Sequence, residues 1–187
     1  MSREGFTVIA AAMMSAISMS AFSASVDFNT AVSTVHVGDT FAIDINGTGF
    51  LANLDGGGFN LNYDPAVVKV NSLVIDSTKW ELAPSSGTKN DATGTITDVS
   101  FNTFVNNNLG NFHIADLSIT ALALGSSSLT LTESANFPFA SGGNPVHPTL
   151  SSGIVNVTAV VPLPPAVWML LSGVLGVVGF HRASASS

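Results

Sequence analysis

Apolar residues alternate with polar ones through most of the middle of this chain. Every second residue is apolar in two clean runs, residues 41–45 and 59–63. Successive side chains of a strand point to opposite faces, so this period of two predicts strands with one buried face. Shorter runs of the same kind begin at Val26, Val35, Val67, Leu73, Val99, Leu129 and Val155. No stretch between the termini has helical spacing, which predicts an all-β, antiparallel sandwich of eight or nine strands.

Two further features refine this prediction. Between Phe112 and Ala123 the apolar positions change parity, which predicts a β-bulge near Ala115 and Asp116. Stretches rich in Gly, Asn, Pro and Ser predict long loops at residues 53–58, 84–94, 106–111 and 137–152.

The charge balance limits the classes of partner. Between residues 25 and 165 there are eleven acidic residues and three lysines. Nucleic acid and anionic lipid need a basic surface, so this balance predicts that the domain binds neither. The chain has no cysteine, which excludes disulfides, thiolate metal sites and a cysteine nucleophile.

The N-terminus is typical of a secretory signal peptide. Arg3 precedes an uncharged stretch from Gly5 to Met19, and small residues follow. We therefore predict a signal peptide over residues 1–24, with cleavage after Ser23 or Ser25. The alternative is a permanent membrane helix, for which the apolar run is short. A single domain over residues 25–158 follows.

The C-terminus, residues 159–187, is typical of a membrane segment. A proline-rich stretch precedes an uncharged run from Ala166 to Phe180, which predicts a helix at about residues 165–180. Its length of about 23 Å is short of the hydrocarbon core of about 30 Å, so it is a marginal anchor. Trp168 and Arg182 would flank it at opposite interfaces, with Arg182 on the cytoplasmic side.

The same segment resembles a known sorting signal. Val161, Pro162, Leu163 and Pro164, followed by the hydrophobic helix and Arg182, are similar to the Val-Pro-Leu-Pro form of the PEP-CTERM signal. This resemblance implies processing by an exosortase, a membrane enzyme that cuts near the motif. It also implies that the protein is held briefly at the inner membrane and then moves to the cell surface or an exopolysaccharide matrix. A simple C-terminal anchor is the alternative.

The middle of the chain has a resemblance of its own. Val37, Gly38 and Asp39 open an alternating strand, and residues 58–68 read Gly-Phe-Asn-Leu-Asn-Tyr-Asp-Pro-Ala-Val-Val. This pattern resembles the cohesin family of bacterial surface domains. The resemblance implies a jelly-roll-like sandwich of about nine strands and non-catalytic recognition, either of a dockerin-like protein or of carbohydrate-linked material.

The residues offer little chemistry. The four histidines are scattered, no Gly-x-Ser-x-Gly motif is present, and the domain has only two glutamates, so we predict no enzyme and no cofactor. Asp55 and Asp64 are typical of turns. Calcium, which takes several loop oxygens, is the alternative role for them.

Three aromatic residues could serve recognition. Trp80, Phe137 and Phe139 lie beside predicted loops, where they could form an exposed platform for a sugar or a protein; the alternative is that they belong to the core. The sequence as a whole predicts a non-catalytic, exported surface or matrix protein. The alternatives are a carbohydrate-binding module, or a membrane-anchored periplasmic accessory domain or hydrolase fragment acting on polysaccharide.

Overall fold

The prediction of an all-β domain is confirmed. A computed structural model describes residues 24–105 and 108–160, so the signal peptide and the C-terminal segment lie outside the described residues. The described residues form thirteen strands and no helix, and nine of the strands have four or more residues. In chain order the strands are β1 (Ser25–Phe28), β2 (Val32–His36), β3 (Thr40–Phe50), β4 (Gly56–Asn62), β5 (Val68–Ile75), β6 (Thr88–Asn90), β7 (Thr95–Asn102), β8 (Gly110–Ala121), β9 (Gly125–Glu133), β10 (Ala140–Ser141), β11 (Asn144–Pro145), β12 (Thr149–Leu150) and β13 (Ser152–Thr158).

The strands form two sheets that enclose one core. The first sheet has five strands in the order β12-β1-β3-β8-β5. The second has eight: one path runs β11-β10-β4-β9-β13-β2, while β7 pairs with β4 and β6 pairs with β7. Alternate residues of each long strand are buried, as the period of two in the sequence requires.

Two strand pairs correct the prediction of a purely antiparallel sandwich. β1 pairs in parallel with β12, and β2 pairs in parallel with β13. The reason is that both ends of the domain cross between the sheets: β1 and β12 lie in the first sheet, and β2 and β13 lie in the second. The first and last segments therefore run side by side and close one side of the sandwich.

Bulges explain the irregular parts of the sequence pattern. Ile45 pairs with Ala115 and Asn46 with His113, so Ile114 is the extra residue of β8. The predicted bulge is confirmed, one residue before its expected position. A second bulge at Asn71 joins the two predicted short strands, 67–70 and 73–75, into the single strand β5.

An aromatic cluster fills the centre of the core. The Trp80 ring is fully buried, with its centroid 4.6 Å from that of Phe101 and 5.6 Å from that of Phe112. Its indole Nε1 donates to the His113 carbonyl oxygen at 3.1 Å. Phe139, also fully buried, lies with its centroid 5.9 Å from that of Phe101. This cluster joins residues from four separate parts of the chain.

We predict that Trp80→Ala lowers the free energy of unfolding by about 3–5 kcal/mol, because it leaves a large cavity and an unpaired carbonyl in the core. Urea denaturation followed by circular dichroism measures the change. Phe104→Ala is the control: this side chain is 86% exposed, so the loss should stay within about 0.5 kcal/mol. Equal losses for the two variants would contradict the core assignment of Trp80.

Candidate functional site

The outer face of the second sheet is polar but almost uncharged. We call the outward-facing residues of β4, β9 and β13 the polar face; they alternate with buried residues of the core. Its side chains are hydroxyls and amides, interrupted by the exposed Ile154. Its members are Asn60, Asn62, Ser126, Ser128, Thr130, Thr132, Ser152, Ile154, Asn156 and Thr158. Such a face costs less to desolvate than a charged one, which suits a protein interface.

An aspartate with a left-handed backbone conformation lies beside this face. Asp98 has a φ of 58°, in the left-handed region that only Gly, Asn and Asp enter readily. It sits where β7 has two residues, Thr97 and Asp98, opposite the single residue Asn60. The Asp98 backbone N–H donates to the Asn60 Oδ1 at 2.8 Å. Bulges of this kind turn a side chain away from the regular strand direction.

The Asp98 carboxylate ties the end of β9 to this bulge. Ser134 Oγ donates to one Asp98 oxygen at 2.7 Å, and Asn136 Nδ2 donates to the other at 3.1 Å. The Ser134 backbone N–H also donates to the Gly58 carbonyl oxygen at 3.0 Å. The segment that carries Phe137 is thereby held against β4.

Glycines make this contact possible. A Cβ atom at Gly58 would lie 2.6 Å from the Phe137 Cβ, and one at Gly57 would lie 2.4 Å from the Phe139 ring. These glycines were predicted to lie in a loop over residues 53–58, but residues 56–58 belong to strand β4. They allow the 137–139 segment to pack closely on the sheet.

The predicted aromatic platform is wrong for two of its three residues. Trp80 and Phe139 are fully buried in the core, whereas Phe137 is 39% exposed. Trp80 lies in a tight turn after β5, where its backbone N–H donates to the Asp76 carbonyl oxygen, and its ring packs inward on Phe101 and Phe112. Only Phe137 remains available for a partner, at the edge of the polar face.

The opposite sheet carries a different surface. On its outer face His113 Nδ1 lies 3.4 Å from Asp76 Oδ2, and His113 Nε2 lies 3.5 Å from Asp116 Oδ1. Asp44 lies directly opposite Asp116 on the neighbouring strand. Asp44, His113 and Asp116 each offer one ligand atom, all within 4.8 Å of one another, so this trio could hold a metal ion.

Local hydrogen bonds orient these carboxylates. Burial raises the pKa of Asp76, but hydrogen bonds from Thr78 and the contact with His113 outweigh it, so the pKa lies below the usual value. Asn29 Nδ2 donates to Asp44 Oδ2 at 2.9 Å. The sequence prediction missed this cluster, because Asp44 and Asp76 are distant in the sequence from His113 and Asp116, and the predicted bulge was not linked to His113.

The predicted turn role agrees with the contact of Asp64, whose partner is two residues away, whereas the carboxylate of Asp55 bonds a backbone group 88 residues away and so joins two distant loops. Asp64 Oδ1 accepts from the Ala66 backbone N–H, and Asp55 Oδ2 accepts from the Gly143 backbone N–H, both at 2.9 Å. The predicted sorting residues Val161, Pro162, Leu163 and Pro164, with Trp168 and Arg182, lie outside the described residues. Among the residues that the structure describes, no helix is long and apolar enough to cross a membrane.

Comparisons with known proteins bear on the fold. No protein-family profile and no curated protein matches the sequence. Among solved structures, the Coh-OlpA–Doc918 type I cohesin–dockerin complex from Clostridium thermocellum aligns with a TM-score of 0.61 at 14% identity, covering 73% of this chain and 99% of the matched chain. The third ScaC cohesin of Acetivibrio cellulolyticus, solved with the ScaB dockerin, aligns with a TM-score of 0.56 at 20% identity, over 73% and 99% of the two chains.

This domain has a cohesin-like fold. A non-cellulosomal cohesin from the archaeon Archaeoglobus fulgidus is similar as well, with a TM-score of 0.56 at 14% identity, over 73% of this chain and 92% of the matched one. The resemblance predicted from residues 37–39 and 58–68 is thus confirmed at the level of the fold. In this cohesin-like fold those residues form the turn before β3, strand β4 and the turn that follows it.

A polar cluster lies at the edge of the cohesin-like sandwich, beside β5. The Tyr63 hydroxyl donates to Asp91 Oδ1 at 3.2 Å, and Lys89 Nζ lies 3.1 Å from the same oxygen. Lys89 Nζ also donates to the Val70 carbonyl oxygen at 3.0 Å. Burial, followed by the hydrogen bond to Asp91 and its charge, raises the pKa of Tyr63 to about 12.

We predict that the absorbance of Tyr63, the only tyrosine in the chain, titrates with a midpoint near 12. A raised pKa stabilises the fold fully below pH 10, and this contribution is lost as the pH rises from about 10 to 12. The measurement is absorbance at the phenolate wavelength, combined with urea denaturation across that range. Asp91→Asn should lower the midpoint, and Tyr63→Phe should remove the signal. A wild-type midpoint near 10 would contradict the assignment.

Proposed function

We propose that this protein is a non-catalytic recognition module that binds a dockerin-like protein partner through the polar face. The cohesin-like fold is the observation that carries the proposal. The matched structures include cohesins solved in complex with dockerins, and the analogy passes from those proteins to this one by fold alone. Measurable turnover of a polysaccharide by the purified protein would contradict the non-catalytic part.

The choice of the polar face rests on its chemistry. The cores of protein interfaces are depleted of charged residues and enriched in aromatic ones. The polar face offers neutral hydroxyls and amides, with Phe137 held at its edge through Asp98 and Gly58. The opposite face has three carboxylates around His113, which a partner could bury only at a considerable desolvation cost.

The test is calorimetric titration with recombinant dockerin-type domains encoded in the same genome. At least one should bind with a micromolar or tighter Kd. Thr132→Arg, at an exposed position of the polar face, should weaken binding at least about tenfold, because it buries a bulky unpaired charge in the interface. The matched control Thr40→Arg, exposed on the opposite sheet, should leave binding unchanged. Equal effects of the two variants, or no binding, would contradict the proposal.

We also propose that the protein is exported and sorted to the cell surface or matrix by an exosortase-like enzyme. The sequences of the terminal segments support this proposal: the basic and apolar order of residues 1–24, and the Val161–Pro164 motif followed by an uncharged apolar run. Ser25 begins the first strand and pairs with Thr48, and Thr158 ends the last strand and pairs with His36. Cuts before Ser25 and after Thr158 therefore remove none of the strands that the structure describes.

We predict that the mature N-terminus is Ala24. The Ala24 carbonyl oxygen accepts from the Thr149 backbone N–H at 2.9 Å, and Ser25 of β1 pairs with Thr149 of β12. Cleavage after Ser23 keeps these contacts, whereas cleavage after Ser25 removes them. The intact mass of protein from culture medium should show this N-terminus and truncation between residues 161 and 165. A mass that retains residues 166–187 in every fraction would instead indicate a stable anchor, and the exosortase proposal would be withdrawn.

A further inference from the structure

The outer face of the first sheet carries a site that the proposed function does not use. We propose that Asp44, His113 and Asp116 bind a divalent transition-metal ion of the Zn²⁺ type. The three side chains come from neighbouring strands, β3 and β8, and lie on the side of the sandwich opposite the polar face. Binding there is therefore independent of the dockerin-like partner.

The register of the sheet brings two negative charges together. Asp44 and Asp116 are directly opposed in the antiparallel ladder, an arrangement that destabilises a strand pair when both residues carry the same charge. The extra residue Ile114 then places His113 on the same outer face as Asp116, although the two are three residues apart. A cation between these side chains would remove the repulsion.

The histidine distinguishes this cluster from an ordinary acidic patch. Both ring nitrogens of His113 face carboxylates, Nδ1 towards Asp76 at 3.4 Å and Nε2 towards Asp116 at 3.5 Å. A neutral imidazole has one N–H and one lone pair. If Nδ1–H donates to Asp76, the Nε2 lone pair is directed towards Asp116, where a metal ion gives it a partner. Metal-binding histidines commonly have such a carboxylate behind the ring.

The ligand set favours zinc over calcium. One imidazole nitrogen and two carboxylates match the ligands that Zn²⁺ takes in open sites, with a fourth position left for water. Ca²⁺ prefers six to eight oxygens. Ligands of tetrahedral Zn²⁺ lie roughly 3.4 Å apart, and the exposed Asp116 can rotate to bring its oxygen within that range of the others.

The experiment is calorimetric titration of the metal-stripped exported protein with ZnCl₂ alone, and separately with CaCl₂ alone. We expect one Zn²⁺ per chain with a micromolar Kd, and at least tenfold weaker binding by His113→Gln and by Asp116→Asn. The matched control is His147→Gln, because His147 Nδ1 lies 3.1 Å from the single carboxylate of Glu133. Circular dichroism checks that each variant folds. Co²⁺ provides a second readout, since its visible absorption changes when imidazole is a ligand.

The outcomes separate the assignments. Zn²⁺ binding that is weakened by His113→Gln and unaffected by His147→Gln supports the site. Saturable binding that His113→Gln leaves unchanged would place the ion elsewhere and overturn the proposal. Binding of Ca²⁺ without Zn²⁺, or no saturable binding below millimolar Zn²⁺, would overturn it as well. None of these results depends on whether a dockerin-like domain binds.

Discussion

The bulge at Ile114 in the β3–β8 ladder is the constraint on which much of the rest depends. It lets the consecutive residues Ile114 and Ala115 both face the core, so that β8 supplies buried apolar residues both before and after the bulge. It also leaves the His113 carbonyl where the Trp80 indole reaches it. One extra residue in one strand therefore determines both the packing of the aromatic cluster and the position of the His113 side chain on the outer face.

The aromatic cluster decides which aromatic side chains remain at the surface. Trp80 and Phe139 pack against Phe101 from opposite parts of the chain, and the missing Cβ at Gly57 makes room for the Phe139 ring. The core thereby takes Trp80 and Phe139, two of the three aromatic residues that were predicted to form a platform. What remains on the outer side of the second sheet is the polar face of neutral hydroxyls and amides, with the exposed Ile154 within it and Phe137 at its edge.

The two sheets of the sandwich present chemically different outer faces. The paired segments β1–β2 and β12–β13 connect the sheets along one side. The second sheet then presents the polar face, and the first presents Asp44, Asp116 and His113. The two surfaces lie on different sheets and share no residue, so a substitution on one leaves the side chains of the other in place.

The sequence by itself determined the all-β class, the main strands and the presence of the bulge in β8, because all of these follow from the parity of apolar residues along one strand. It also carried the cohesin resemblance. Only the tertiary structure decided that Trp80 and Phe139 are buried, that the outer strands pair in parallel and that Asp44, His113 and Asp116 meet. Those outcomes depend on which strands become neighbours, and parity within one strand contains no information about the residues that face it from another.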